Sequence, residues 1–249
     1  MLDKLRKNWV RVVSGLLVLA VYLVHATHLY RFELIDKLEQ IAYDRHLQLT
    51  MPKTVDPSVV IVDIDEISLE AEGRWPWPRD KVARLVEQLF DTYNVKLVGF
   101  DIVFAEPDNS SGLDVLQRLA GKELKGNEEF GQALEQIKPQ LDYDRIFAEA
   151  ISQYPVVLGY YFDFSGNRFQ APRIGKLPEP AFEAATFKTR KVSFLKADGF
   201  GGNIDGLTDN SAGGGHFTQQ PDNDGVVRRV PMLIQYEDKL YARDKEPAP

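Results

Sequence analysis

The residues able to do chemistry gather in a few short stretches. Asp63 and Asp65 lie two apart in VVIVDIDEISL, a spacing that puts both carboxylates on one face of a strand. Asp101 takes the equivalent place in the next apolar run, KLVGFDIVF. Carboxylates converging at the carboxyl edge of a sheet suit a divalent cation, held through oxygen, or a basic ligand. The plainer alternative is structural, with the acids capping the next helix or pairing with Arg79. A second stretch is Gly73-Arg74-Trp75-Pro76-Trp77-Pro78-Arg79. Here Trp75 or Trp77 offers a stacking surface and Arg79 an anchor for an anionic group. Equally, the prolines fix the backbone into a rigid plug, with Arg79 bridged to Asp65 or Asp101.

A third stretch, PDNDGVVRRVP, contributes Asp224 and Arg228 as ligand-binding candidates in a turn that enters a strand. Its Asp-x-Asp-Gly resembles part of a calcium loop but lacks the distal Glu. Gly213-Gly214-Gly215-His216 has the makings of an anion cradle without the Lys-Ser/Thr of a P-loop. A lone His there is more often a core or loop residue. The chain has no Cys, which excludes disulfides, thiolate metal sites and Cys nucleophiles. No Ser-His-Asp set assembles from local motifs. The expectation is therefore a ligand-binding chain with no catalytic residue and no cofactor, a divalent cation being left open. A metal-dependent hydrolase has only the carboxylates in its favour, with no base or nucleophile.

The elements that position these residues follow from hydrophobic period. Val59 to Ile64 reads as a strand buried on both faces. Pro78 opens a helix whose buried face is Val82, Leu85, Val86, Leu89 and Phe90. Lys96 to Phe104 is a second strand, so strand, helix and strand form a right-handed parallel unit. Leu113 to Leu141 is helical, broken near Gly121 and Gly126. Tyr143 to Tyr154 is a helix and Pro155 to Phe164 a third strand. Gly- and Pro-rich loops follow, then strand candidates at Gly225 to Tyr236 and Lys239 to Tyr241, turned by Glu237-Asp238. The predicted class is α/β, a mostly parallel sheet core flanked by helices, with a C-terminal β-hairpin.

An apolar segment precedes this domain. Val12 to Tyr30 carries no formal charge over 19 residues. As a helix it spans about 28 Å, close to the hydrocarbon thickness of a bilayer. Lys4, Arg6, Lys7 and Arg11 precede it, which places the N-terminus in the cytoplasm. Two alternatives are a cleaved signal peptide ending near Val24-His25-Ala26 and a buried core helix. The length of the run disfavours the first, and its basic flank and all-round apolarity disfavour the second. Arg31 to Leu49 continues as an amphipathic helix with Leu34, Ile35, Leu38, Ile41, Ala42 and Leu49 in one stripe. That stripe either packs on its own domain or forms a homodimer seam. The formal net charge of -7 argues against a nucleic-acid partner.

Several ordered motifs resemble the CHASE type 2 family. They are Tyr43-Asp44-Arg45, VVIVDIDEISL, GRWPWPR, VGFDIVFAEPD, the stretch from Asp144 to Tyr161, and PDNDGVVRRVPMLI. The resemblance covers most of residues 31 to 241. It implies an extracytoplasmic sensory domain of a bacterial inner-membrane receptor, with this chain crossing the membrane once. Its partners would be the membrane, an unknown small ligand or ion, and a cytoplasmic cyclase or kinase output domain lying outside this chain. The expected division is residues 1–11 cytoplasmic, 12–30 membrane-spanning, 31–241 sensory and 242–249 a polar tail. The competing expectation is a protein-interaction or dimerisation module with no small ligand.

Overall fold

The computed structural model describes residues 9–27, 29–166, 171–187 and 192–243. The cationic residues Lys4, Arg6 and Lys7 and the tail from residue 244 lie outside these. The chain forms two compact units, Met1–Asp63 and Ile64–Pro249.

The first unit is two helices and an extended segment. Helix α1, Trp9–Ala26, is long and apolar enough to cross a membrane, and most of its apolar side chains are exposed. In water such a surface is unfavourable on every face, whereas a bilayer covers it. Helix α2, Glu33–Thr50, starts with Glu33 and Asp36 in its first turn, where acids complement the helix dipole. Its predicted stripe residues Leu34, Leu38, Ile41 and Leu49 are exposed. After α2 comes a turn in which the Asp56 carboxylate accepts from the Ser58 amide at 2.9 Å.

The predicted strand Val59 to Ile64 does not form. This segment has no ladder partner, and Val60 and Ile61 are 78% and 88% exposed. Its apolar, β-branched run promises burial, but a strand also needs a neighbouring edge to satisfy its backbone. The run leaves the Asp56–Ser58 turn and passes into a helix cap at Asp65 without meeting one.

The second unit opens with α3, Glu66–Glu72, and α4, Arg79–Asp91, for which Pro78 is the N-cap. Strand β1 is Val98–Gly99, followed by α5, Leu113–Gly121, α6, Glu128–Leu141, and α7, Tyr143–Gln153. The long strand β2, Val156–Asp163, comes next. The remaining elements are β3 (Arg173–Ile174), β4 (Phe182–Glu183), β5 (Leu195–Lys196), β6 (Gly199–Gly201), α8 (Asp205–Asn210), β7 (Gly213–His216), β8 (Leu233–Tyr236) and β9 (Lys239–Ala242). The break between α5 and α6 falls at the predicted place, with Gly121 ending one helix and Gly126 just before the other. Glu237-Asp238 turn the β8–β9 hairpin, with Glu237 at φ 53°.

Both sheets are mixed, and parallel pairings prevail in the larger one, where β1–β2, β2–β7 and β3–β6 are parallel. In one, β2 is parallel to both β1 and β7 along its first half and antiparallel to β6 along its second. In the other, β8 pairs antiparallel with β9 and parallel with β5. The predicted nine-residue strand from Lys96 shrinks to β1. The Phe100 amide still reaches the Val157 carbonyl at 2.9 Å, but the Phe104 amide turns to the Asn203 side chain at 2.7 Å.

Strand β2 threads two cores. Its Val156 and Leu158 join Val82, Val86 and Phe90 of α4 and Phe147 and Ile151 of α7. Each of these side chains, when fully buried, contributes about 1.5–3 kcal/mol. Farther along, Tyr160 and Phe162 pack with Ile234, Tyr236 and Tyr241 of the hairpin. The strand thus links the helical layer to the C-terminal hairpin, and the site lies between the two.

Candidate functional site

The parallel strands β1, β2 and β7 converge on a cavity of about 280 Å³. It lies at the carboxyl ends of β1 and β7, which flank β2. Gly159 of β2 lines it because nothing larger fits. A Cβ there would sit 2.5 Å from the Phe100 carbonyl oxygen and 3.0 Å from the Phe217 ring. Phe100 and Phe217 supply apolar wall, and the polar groups are Asp101, His216, Gln219 and Arg243.

His216 is the unusual member. It is 1% exposed, and neither ring nitrogen has a hydrogen-bond partner in the protein. Buried polar side chains are normally satisfied, so two unpartnered ring nitrogens on a residue of the cavity wall are unusual. The ring meets Tyr160 and Phe162 edge-on, with centroids 6.1 and 5.9 Å away. Burial, aided by the Arg243 charge, pushes its pKa down to about 4. At neutral pH the ring is therefore uncharged, offering one donor and one acceptor.

Arg243 also has a buried nitrogen, Nη1, without a protein partner. Its backbone is firmly placed, since its amide donates to the Met232 carbonyl at 3.0 Å. The Tyr160 hydroxyl donates to the neighbouring Ala242 carbonyl at 3.1 Å. Asp101 is exposed at the rim. The Asn203 amide donates to the Gly159 carbonyl at 2.9 Å while its oxygen accepts from the Phe104 amide, tying the middle of β2 to the segment after β1.

The other sequence candidates lie elsewhere. Arg79 is buried, but neither Asp65 nor Asp101 holds it. Its Nε meets Asp144 at 3.3 Å, its Nη2 donates to the Glu106 carbonyl at 2.9 Å, and its guanidinium lies 4.3 Å over the Phe104 ring. Its amide donates to Asp108 at 2.7 Å, and the Asp108 amide donates to Asp144 at 2.8 Å. The two acids arrive on the loop after β1 and on α7, elements that tertiary packing brings to the start of α4. Burial pushes the Asp108 carboxyl up, but hydrogen bonds from Ser110 and Arg79 outweigh it and hold the pKa low. The Arg79 amide, Nε and Nη2 are thus all directed at protein acceptors.

Trp77 is buried and donates its indole N–H to the Gly73 carbonyl at 2.8 Å. Trp75 stands edge-on to it at 5.8 Å and is 37% exposed. Asp65 caps α3, accepting from the Ser68 amide at 2.8 Å and its hydroxyl at 2.7 Å. Asp63, exposed, ends the first unit. Asp224 and Arg228 pair with each other at 2.8 Å, and the Arg228 hydrogen bond draws the Asp224 pKa down to about 2. Asp222 also meets Arg228, at 3.0 Å. Of the ligand-binding candidates, then, Asp101 lines the cavity, together with Gly215 and His216 of the Gly-Gly-Gly-His run.

A family model, the CHASE2 domain, matches residues 15–247. The chain belongs to the CHASE2 family. CHASE2 domains are extracytoplasmic and sensory rather than catalytic. No curated protein and no solved structure matches the chain.

Among the described residues, one side-chain cluster has ligand atoms close enough to share a cation: His25, Asp36 and Glu39 of the first unit. Its hydrogen bonding argues against that use. His25 Nδ1 accepts from the Phe32 amide at 3.1 Å, which leaves the neutral ring's proton on Nε2. Nε2 is the atom facing Asp36 and Glu39, at 3.6 and 3.9 Å. A proton there joins the carboxylates electrostatically and occupies the position a metal would need.

Sequence reasoning missed Gln219 and Arg243 and gave His216 its plain reading. His216 showed one signal, its place at the end of a Gly-Gly-Gly run that lets β7 lie close to β2. Arg243 showed none, because it sits in a polar stretch that reads as a tail.

Proposed function

We propose that the chain is the ligand-receiving part of a membrane-bound signalling receptor. It is anchored in the bacterial inner membrane by α1, with the second unit outside the cytoplasm. The buried, unpartnered His216 beside Arg243 carries the ligand part of this reading. A bound molecule would bias a cytoplasmic cyclase or kinase output domain, provided that it binds the two signalling states with different affinity. Homodimerisation through the exposed α2 stripe would give the signal a path to the membrane.

The stripe also favours a second reading, an interaction module whose only partner is another copy. One variant tests both readings, because the chain has no native Cys. Ile41→Cys in intact spheroplasts should react with a membrane-impermeant maleimide and, under oxidation, give a disulfide-linked dimer. No labelling until the cells are opened would overturn the extracytoplasmic placement. A dimer whose cross-linking is insensitive to Gln219→Trp, which fills the cavity from its rim, would favour the interaction module.

A further inference from the structure

We propose that the cavity binds a small zwitterion, a molecule carrying a carboxylate and an ammonium group as free α-amino acids do. This rests on reading the cavity as the sensory site.

The argument is one of charge complementarity. Arg243 and Asp101 line the same cavity, yet they form no ion pair with one another, and neither side chain has a hydrogen-bond or ion-pair partner elsewhere among the described residues. Opposite charges brought to one small space normally close on each other or on neighbours. The protein does so elsewhere, as in the Arg79–Asp144 and Arg228–Asp224 pairs. Two charges held apart across a cavity fit a ligand that brings its own pair, reversed.

The groups divide the work. The Arg243 guanidinium, with Nη1 buried, is a donor for a carboxylate. Asp101, at the rim, meets the ammonium. The Gln219 amide carries both a donor and an acceptor. Phe100 and Phe217 leave apolar wall for a small side chain. A lone anion would find Asp101 repelling it at the entrance. A lone cation would face Arg243 inside. The cavity is just below the range of about 300–1,000 Å³ usual for drug-sized ligands, which suits a molecule of metabolite size.

The test is calorimetric titration of the full chain in detergent micelles. The probes are the twenty common amino acids, with propionate and ethylamine as single-charge halves. The expected result is saturable binding of at least one amino acid, with both halves weaker by about tenfold or more, the factor that one lost polar contact of about 1.4 kcal/mol produces. Asp101→Asn should weaken the amino acid and leave propionate unchanged. Arg243→Met should abolish both, and Arg243→Lys should restore part, each with circular dichroism confirming the fold. Propionate binding as tightly as any amino acid, or an amino acid indifferent to Asp101→Asn, overturns the zwitterion and leaves the cavity as an anion site. Binding by none of these probes overturns the zwitterion and removes the support for the cavity as the sensory site. Where Arg243→Met does not fold, the Asp101→Asn and Arg243→Lys arms still decide.

Discussion

His216 makes acid stability a direct readout of the cavity. Its pKa is about 4 in the folded chain, against an ordinary value of 6.5. Above about pH 6.5 the ring is neutral in both folded and unfolded chains and contributes no pH dependence. Between 6.5 and 4 the unfolded chain takes up the proton and the folded chain does not, so stability falls with pH across this window. At 1.36 kcal/mol per unit, the loss reaches about 3 kcal/mol near pH 4 and then levels off.

The groups facing the ring set this value. Tyr160 and Phe162 of β2 surround it edge-on, and Arg243 follows the β8–β9 hairpin. Asp101 lines the same cavity from the end of β1. Carboxylates held low elsewhere, Asp108 and Asp224 among them, also cost stability in acid, so the wild-type curve alone is ambiguous. Comparison with His216→Gln removes that shared background. Urea unfolding of the full chain in micelles, followed by tryptophan fluorescence, should show the variant gaining about 3 kcal/mol on wild type between about pH 7.5 and 4. A difference that stays constant over this range would refute the buried neutral imidazole. A difference of opposite sign would mean that the folded chain stabilises the imidazolium.

Three further outcomes separate scaffold from site. Arg79→Met should cost about 3–5 kcal/mol in urea unfolding, because it leaves Asp144 without its buried cation, while amino acid affinity in the folded fraction stays unchanged. Trp77→Ala should cost about 3–5 kcal/mol as a core truncation, whereas Trp75→Ala should cost clearly less, since Trp75 is partly exposed; equal losses by thermal melting would contradict the plug. Asn203→Ala should cost about 1–3 kcal/mol for each of the two backbone groups it orphans, and hydrogen exchange should show the Phe104 amide losing protection first.

Elements defined by local period were legible, and elements defined by a distant partner were not. Helix α4 and strand β2 announce themselves through Val82, Val86 and Phe90 and through the run from Val156, because burial on one known face repeats at a fixed interval. The Val59 to Ile64 run looks as strand-like as β2, but pairing is decided by a neighbour that no local pattern encodes. The same limit governs Arg79. Its charge and burial were readable, but its partner Asp144 lies 65 residues away on α7, and nearer acids at Asp65 and Asp101 looked equally suitable.

The motifs that carry the family resemblance supply part of the cavity wall, but most of its polar groups lie outside them. GRWPWPR and FAEPD meet at the Arg79 clasp with Asp144, where the Arg79 amide, Nε and Nη2 find protein acceptors. Such a network fixes the start of α4 against the loop after β1. The cavity instead takes His216, Gln219 and Arg243 from outside those motifs and only the Gly99–Asp101 and 157–159 stretches from within them. On the proposed reading, a ligand bound beside His216 and Arg243 acts on the β7 end and the hairpin, because the Arg79 clasp ties the start of α4 to the loop after β1 and to α7.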